Sequence, residues 1–228
     1  MNELAKRSAH IRYDLNLRPY HKVISNLVDK YGVDGCNILD VGCGTGNMLE
    51  LLSNKNKNYQ LFGADIDPRC LEVTNERVNL VSGLKIDDVL DLFEPSYGLE
   101  NKFDIIVMSH VLEHVTRPFD TVNGLMTLLK PGGHLILAVP NPVRPDVILK
   151  SIFRKYSVNK GHVQTWDMSH WKNFLEVILG LNVIEYPTDF IKAPKIDNLK
   201  FLHPILILIA KLFPGFARSC MAVIKKDN

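Results

Sequence analysis

Residues 37–46 read NILDVGCGTG, that is Asn37-Ile38-Leu39-Asp40-Val41 followed by Gly42-Cys43-Gly44-Thr45-Gly46. A short, nearly continuous apolar run ended by glycines is how a strand covered on both faces reads, as in a parallel sheet flanked by helices. The glycines allow a tight turn and a close approach of backbone to a ligand. A helical stretch with Met48, Leu49, Leu51 and Leu52 starts directly after them. Strand, glycine loop and helix together open an α/β unit.

The alternation continues outward from this segment. Tyr59 to Ala64 reads as a strand, Pro68 to Leu80 as a helix, Leu84 to Ile86 as a short strand and Phe103 to Met108 as another. Asp120 to Lys130 is predicted helical and closed by Pro131-Gly132-Gly133, before a fifth strand at Leu135 to Val139. Upstream, residues 1–36 form an N-terminal helical segment or lid, with a helix starting near Pro19 and carrying Val23, Ile24, Leu27 and Val28. Strands alternating with helices imply right-handed crossovers and a mainly parallel, doubly wound sheet. After residue 140 the texture changes. Residues 141–165 read as a cap insertion, Asp167 as the N-cap of a helix bearing Trp171, Phe174, Leu175 and Ile178, and Gly180 as its end. Leu181 to Tyr186 and Ala217 to Ile224 read as two further strands, separated by an apolar helical insertion over residues 190–216.

Composition agrees with one globular domain. The 228 residues carry 27 Lys plus Arg against 25 Asp plus Glu, a formal charge of +2, without a run of like charges. That balance gives no nucleic-acid or polybasic membrane signal. The cysteines Cys36, Cys43, Cys70 and Cys220 show no CxxC pairing, and the N-terminus lacks the apolar stretch of a signal peptide, so reduced thiols and a cytoplasmic location are expected. Pro204 to Phe213 is too short to span a bilayer, although its apolarity is compatible with peripheral membrane contact.

In an open α/β sheet, ligands lie beyond the carboxyl ends of the strands. The glycine loop stands there, and the second strand ends in Ala64-Asp65-Ile66-Asp67. Asp65 is about 20 residues past the loop, the distance at which an acid accepts hydrogen bonds from ribose hydroxyls. The loop is GxGxG rather than the GxGxxG of a pyrophosphate binder, which argues against a dinucleotide oxidoreductase. Asp40, just before the loop, suits an ammonium group. Ribose together with an amino-acid head group points to S-adenosylmethionine.

Ile38 to Gly46 resembles motif I of the class I S-adenosylmethionine-dependent methyltransferases. The family's other segments follow in order: Gly63 to Asp67, Asp88 to Leu92, Phe103 to Val107, Val111 to Val115, Leu129 to Gly133 and Gly161-His162-Val163. The resemblance covers nearly the whole chain. It implies a Rossmann-like seven-stranded sheet, order 3-2-1-4-5-7-6 with strand 7 antiparallel, and a small helical cap. It further implies Asp40, Gly42 and Gly44 at the methionine part, Asp65 at the ribose, Ile66 on one adenine face, Asp88 at the adenine amino group with Val89 offering backbone, and Ser109 and His110 beneath the sulfonium.

The remaining candidates concern the acceptor. His110, Glu113 and His114 resemble the HxxEH of inverted zincins, but they follow a parallel strand and not a long helix. Ubiquinone-biosynthesis O-methyltransferases, which use a divalent metal, resemble this segment yet have Glu where His110 stands, so no metal is expected. His110 is the foremost candidate base, with His114 second and Glu113 bracing the loop. Arg144 and His162 are candidate acceptor-binding residues, and Tyr13 and Tyr20 lie on a segment that folds over the cofactor in similar enzymes. Asp67 reads as a helix cap. The leading expectation is O-methylation of a small-molecule, glycan or lipid-linked acceptor, with a homodimer compatible. C- or N-methylation and a silent cofactor-binding module are the alternatives.

Overall fold

The computed structural model describes residues 17–153, 161–190, 208–209 and 212–227. Helix α1 (Pro19–Tyr31) precedes strand β1 (Asn37–Val41), helix α2 (Asn47–Ser53), β2 (Gln60–Asp65), α3 (Pro68–Arg77), β3 (Ser82–Lys85) and β4 (Phe103–Ser109). Then come α4 (Pro118–Leu128), β5 (Leu129–Pro140), α5 (Pro145–Ile152), α6 (Met168–Lys172) running into a π-helical turn at Asn173–Ile178, β6 (Val183–Glu185) and β7 (Ser219–Lys225). The seven strands form one sheet in the order β3-β2-β1-β4-β5-β7-β6, with β7 antiparallel to β5 and β6. This is the Rossmann-like topology that the motif series implies.

Side chains alternate along each central strand and fill two separate cores. Leu39, Val41, Ile106, Met108 and Leu137 pack on one face against α4 and the Trp171 helix. Ile38, Ile105, Val107, Ile136 and Met221 pack on the other against α1 and α2. Each such fully buried aliphatic side chain contributes about 1.5–3 kcal/mol, so the sheet is anchored from both sides. Trp171 is fully buried, with Trp166 edge-on to it.

The structure shifts several element boundaries. The helix expected at Asp120 to Lys130 starts at Pro118 and ends at Leu128, and β5 starts at Leu129 instead of Leu135. Here Phe103 pairs with Leu129 but Ile105 with His134, so Lys130 to Gly133 bulge out of the ladder. The bulge is held by Gly132 N–H donating to Lys226 O and Lys226 N–H donating to Gly133 O. The glycines thus shape a bulged strand in place of a free turn. Strand β6 shortens to three residues because its register to β7 shifts. Asp167 caps α6 through the Ser169 and His170 N–H groups, and Asp67 caps α3 through Arg69 N–H, both as expected. All four cysteines are free and buried. Among the described residues no helix is long and apolar enough to cross a membrane. Tyr13, part of the 141–165 cap and most of the 190–216 insertion lie outside the described residues.

Candidate functional site

The glycine loop is built by the end of β2. Gly42 and Cys43 N–H groups both donate to Ala64 O, at 2.7 and 3.1 Å, which swings the chain across the carboxyl edge of the sheet. Gly42, Gly44 and Gly46 all adopt left-handed backbone. A Cβ on Gly42 would lie 2.2 Å from Val111 Cγ2, so this glycine lets the β1 loop nest against the loop after β4. A Cβ on Gly44 would meet nothing within 4 Å. Among the described residues the space over Gly44 is open, as a cradle for a ligand requires. Thr74 Oγ1–H donates to Gly44 O at 2.9 Å, fixing the loop from α3.

Two buried carboxylates flank this cradle. Asp65 accepts from Gly44 N–H at 2.8 Å through Oδ2 and from Asp67 N–H at 2.9 Å through Oδ1. Burial raises its pKa against the lowering effect of these bonds. Asp40 is 5% exposed, and burial, with the Asp65 charge in second place, pushes its carboxyl up to about 7. Two buried acids side by side call for a cationic guest. Ile66, just beyond β2, leaves an apolar side chain 42% exposed, which suits one face of a flat heterocycle. Buried carboxylates, an apolar side chain and approachable backbone together suit a ligand that carries a cation, hydroxyls and a flat ring, and S-adenosylmethionine carries all three.

Asp88 sits differently from the rest. It is exposed and its carboxylate accepts from Leu90 N–H at 2.9 Å, capping the 3₁₀ turn Val89–Phe93. Asp87 is exposed too and paired with Lys85. Val89 is buried in the core.

At the end of β4, Ser109 has a buried Oγ without a hydrogen-bond partner among the described residues. His110 follows with φ of 56°, an uncommon conformation for a side-chain-bearing residue. Its N–H donates to Ala138 O on β5 at 2.8 Å, and its Nε2 meets Ser219 Oγ at 3.2 Å. Ser219 Oγ–H in turn donates to Asp189 Oδ2 at 2.8 Å. The Tyr20 ring from α1 lies over the imidazole at 4.4 Å between centroids. Burial first, then the charges of Arg218, Arg18, His21 and Arg144, hold His110 down to about 3, so its ring is neutral. Burial and Arg18, among others, act on Tyr20 in opposite directions, and burial wins, raising it.

Glu113 is the centre of a second cluster. Its Oε1 lies 3.7 Å from His110 Nδ1 and 3.8 Å from His114 Nε2, in contact but beyond hydrogen-bond length. Its Oε2 is buried without a hydrogen-bond partner among the described residues, and burial pushes the carboxyl up to about 8. Its backbone C=O accepts from Val163 and Gln164 N–H, and His114 Nδ1 meets Gly161 O at 3.1 Å, so the loop is braced as expected. His162 stands edge-on to His114 at 4.8 Å. One ligand atom each from Glu113, His114 and His162 lie within 4.8 Å of one another, a grouping able to hold a metal ion. Glu113, Arg144, Lys150, His162 and Gln164 also line a cavity of about 230 Å³ at the carboxyl end of β5.

Thus Asp40, Gly42, Gly44, Asp65 and Ile66 converge at one end, and His110, His114, Arg144 and His162 gather around Glu113 at the other. Val111, packed against Gly42, joins the two. Arg218, Ser219 and Asp189 were not picked out from the sequence. The available signal was the antiparallel last strand, which brings its first residues to the same edge of the sheet.

A family model described as a methyltransferase domain matches residues 10–186. The chain belongs to the class I S-adenosylmethionine-dependent methyltransferases. This methyltransferase is 25% identical over 186 residues to the ubiquinone biosynthesis O-methyltransferase of Pectobacterium carotovorum, covering 75% of this chain and 77% of that one. It is 29% identical over 167 residues to the protein of the same name from Leptothrix cholodnii, covering 68% and 69%. In fold it is similar to the magnesium protoporphyrin IX methyltransferase of Synechocystis with bound S-adenosylhomocysteine, at a TM-score of 0.62, 14% identity and coverage of 91% and 82%.

Proposed function

We propose that this methyltransferase acts on a hydroxyl oxygen of a small molecule, a free metabolite in preference to a glycan or lipid-linked acceptor. The observation that carries the reading is Glu113, which lines a cavity of about 230 Å³ and whose buried Oε2 has no hydrogen-bond partner among the described residues. A cavity of that size takes a compact acceptor, and the relatives named above carry O-methyltransferase names.

S-adenosylmethionine supplies an electrophilic methyl group on a sulfonium. The chain's part is to align the attacking oxygen about 3–3.5 Å from that carbon, exclude water and take up the hydroxyl proton. Asp40, Gly44 and Asp65 orient the donor. Ser109, His110 and Tyr20 wall off the space at the end of β4. His110, the sequence-based candidate base, has a conjugate acid too strong to hold the proton well at neutral pH. Glu113 is better suited, and His110 and His114 on either side of its carboxylate position it.

Incubation with labelled cofactor and a panel of hydroxylated, amino and activated-methylene acceptors tests the reading; labelling confined to nitrogen or carbon acceptors overturns it. Glu113→Gln is expected to lower kcat by about 100-fold or more, with cofactor affinity kept. The grouping of Glu113, His114 and His162 favours a second reading, in which they hold a divalent cation that supplies Lewis acidity toward the acceptor oxygen. Turnover lost on chelation and restored by magnesium would select it, and turnover indifferent to chelation selects Glu113 as the proton acceptor.

A further inference from the structure

Three arginines from distant parts of the chain converge where the acceptor is read to enter. Arg18 is the N-cap residue of α1, Arg144 the N-cap residue of α5, and Arg218 directly precedes β7. Arg218 is tied into this edge by its backbone: its N–H donates to Asp189 Oδ1 at 2.8 Å and its C=O accepts from Asn141 N–H at the end of β5. Its guanidinium lies 5.8 Å over the Phe190 ring. Arg144 lines the cavity itself, together with Lys150 and His162.

The acids nearby leave the Nε–H groups of Arg144 and Arg218 without a hydrogen bond among the described residues. Asp189 spends its oxygens on the Arg218 and Ser219 N–H groups and the Ser219 hydroxyl. Asp146 Oδ1 comes within 3.3 Å of Arg144 Nε, but the two are not aligned as a hydrogen bond. Among the described residues the buried Nε–H donors of both Arg144 and Arg218 have no hydrogen-bond partner. A buried guanidinium donor without an acceptor is costly, and the cost is removed when an anion arrives. The planar fork of arginine matches the two oxygens of a carboxylate or phosphate. Burial first, then the charges of Arg144 and Arg18, lower the pKa of Arg218 against the smaller raising effects of Tyr20 and Asp189, and Arg218, Arg18 and Arg144 help lower that of His110.

We propose that Arg144 and Arg218, with Arg18 beside them, bind an oxyanion carried by the methyl acceptor, a carboxylate or a phosphate group. This rests on the reading that the acceptor occupies the Glu113 side of the site. The acceptor is then an acidic hydroxylated molecule, held by its anion while its hydroxyl faces Glu113. A neutral acceptor of the same shape leaves both Nε–H donors unpaired and binds more weakly.

The full chain saturated with S-adenosylhomocysteine is titrated with inorganic phosphate and, separately, with acetate, at constant ionic strength in a calorimeter. One anion is expected to bind saturably at one site, and the preferred one tells phosphate from carboxylate. Arg144→Gln and Arg218→Gln should each weaken it at least tenfold, with Arg218→Lys between wild type and Gln. Absence of saturable binding of either anion, or unchanged binding by both Gln variants, overturns the proposal. S-adenosylhomocysteine affinity, measured in the same protein, separates the causes. If it is retained while anion binding is absent, only the oxyanion site falls; if it is absent too, the cofactor reading falls with it. Should one Gln variant fail to fold, the other and Arg218→Lys still decide the outcome.

Discussion

The backbone N–H of Gly44 donates to Asp65 Oδ2 at 2.8 Å, so the residue read as the ribose acid also holds the glycine loop in shape. Its other oxygen is engaged by Asp67 N–H. Asp65→Ala therefore removes a ligand contact and two internal bonds to a carboxylate, each worth about 1.5–3 kcal/mol. The expected result is a cofactor affinity at least tenfold weaker together with a lower Tm, read by calorimetry and thermal unfolding. Asp65→Asn retains one acceptor oxygen and should fall between. Wild-type affinity in Asp65→Ala would remove Asp65 from the site.

Gly42 and Gly44 share a left-handed backbone but differ in surroundings, and alanine at each should fail differently. Gly42→Ala drives a Cβ to 2.2 Å from Val111 Cγ2, so it must displace the β4 loop and lose fold stability. Gly44→Ala meets nothing within 4 Å and carries only the left-handed backbone cost of roughly 1–2 kcal/mol. The protein should stay folded while its Cβ fills the cradle and cofactor binding is lost. Equal loss of stability in the two variants would contradict this assignment.

The sheet order was legible through the family that the motif series resembles, and the meeting of the glycine loop with Asp65 was legible because its determinants are local. A glycine loop directly after a strand, and an acid at the end of the next strand, must meet in any parallel sheet with those two strands adjacent. The acceptor half depends on residues far apart in the chain. Arg18, Arg144 and Arg218 have no shared pattern, and only the antiparallel direction of β7 brings Arg218 and Ser219 to His110. The side chain of His110 invited a role as base, but its basicity is set by burial and by arginines from three other segments, which no local reading contains. The bulge at Lys130 to Gly133 was missed for a related reason: its bonds run to Lys226, at the far end of the chain.

Cofactor affinity should depend on pH through Asp40. Its folded-state pKa is raised from near 4 to about 7 by burial and by Asp65. Between those values the native state binds more protons at this site than the unfolded state. Stability of the ligand-free protein from this group is thus present below about pH 4 and lost as pH rises to about 7. A cationic head group favours the carboxylate, so affinity runs the other way. Binding of S-adenosylhomocysteine should be roughly tenfold weaker at pH 6 than at pH 8, and Asp40→Asn should flatten the profile. A flat profile in the wild type would show that Asp40 is already ionised or does not meet the ligand.

Ser219 joins Asp189 to His110, and its removal should be felt at both ends. In Ser219→Ala, Asp189 Oδ2 loses the hydroxyl donor it meets at 2.8 Å while staying buried, at a cost of about 1–3 kcal/mol. For a chain of this size that lowers Tm by about 2–4 °C per kcal/mol. His110 Nε2 also loses its 3.2 Å partner, so the ring keeps the Tyr20 contact, the 3.7 Å approach of Glu113 Oε1 to Nδ1 and its own backbone. Because no hydrogen bond or ion pair among the described residues joins these groups to Asp40, Gly44 or Asp65, S-adenosylhomocysteine affinity should be unchanged while kcat falls. Ser219→Thr, which keeps the hydroxyl, should restore part of the rate. If Ser219→Ala weakened cofactor binding as much as turnover, Ser219 would belong to the donor side and His110 would be placed by the cofactor rather than by the last strand.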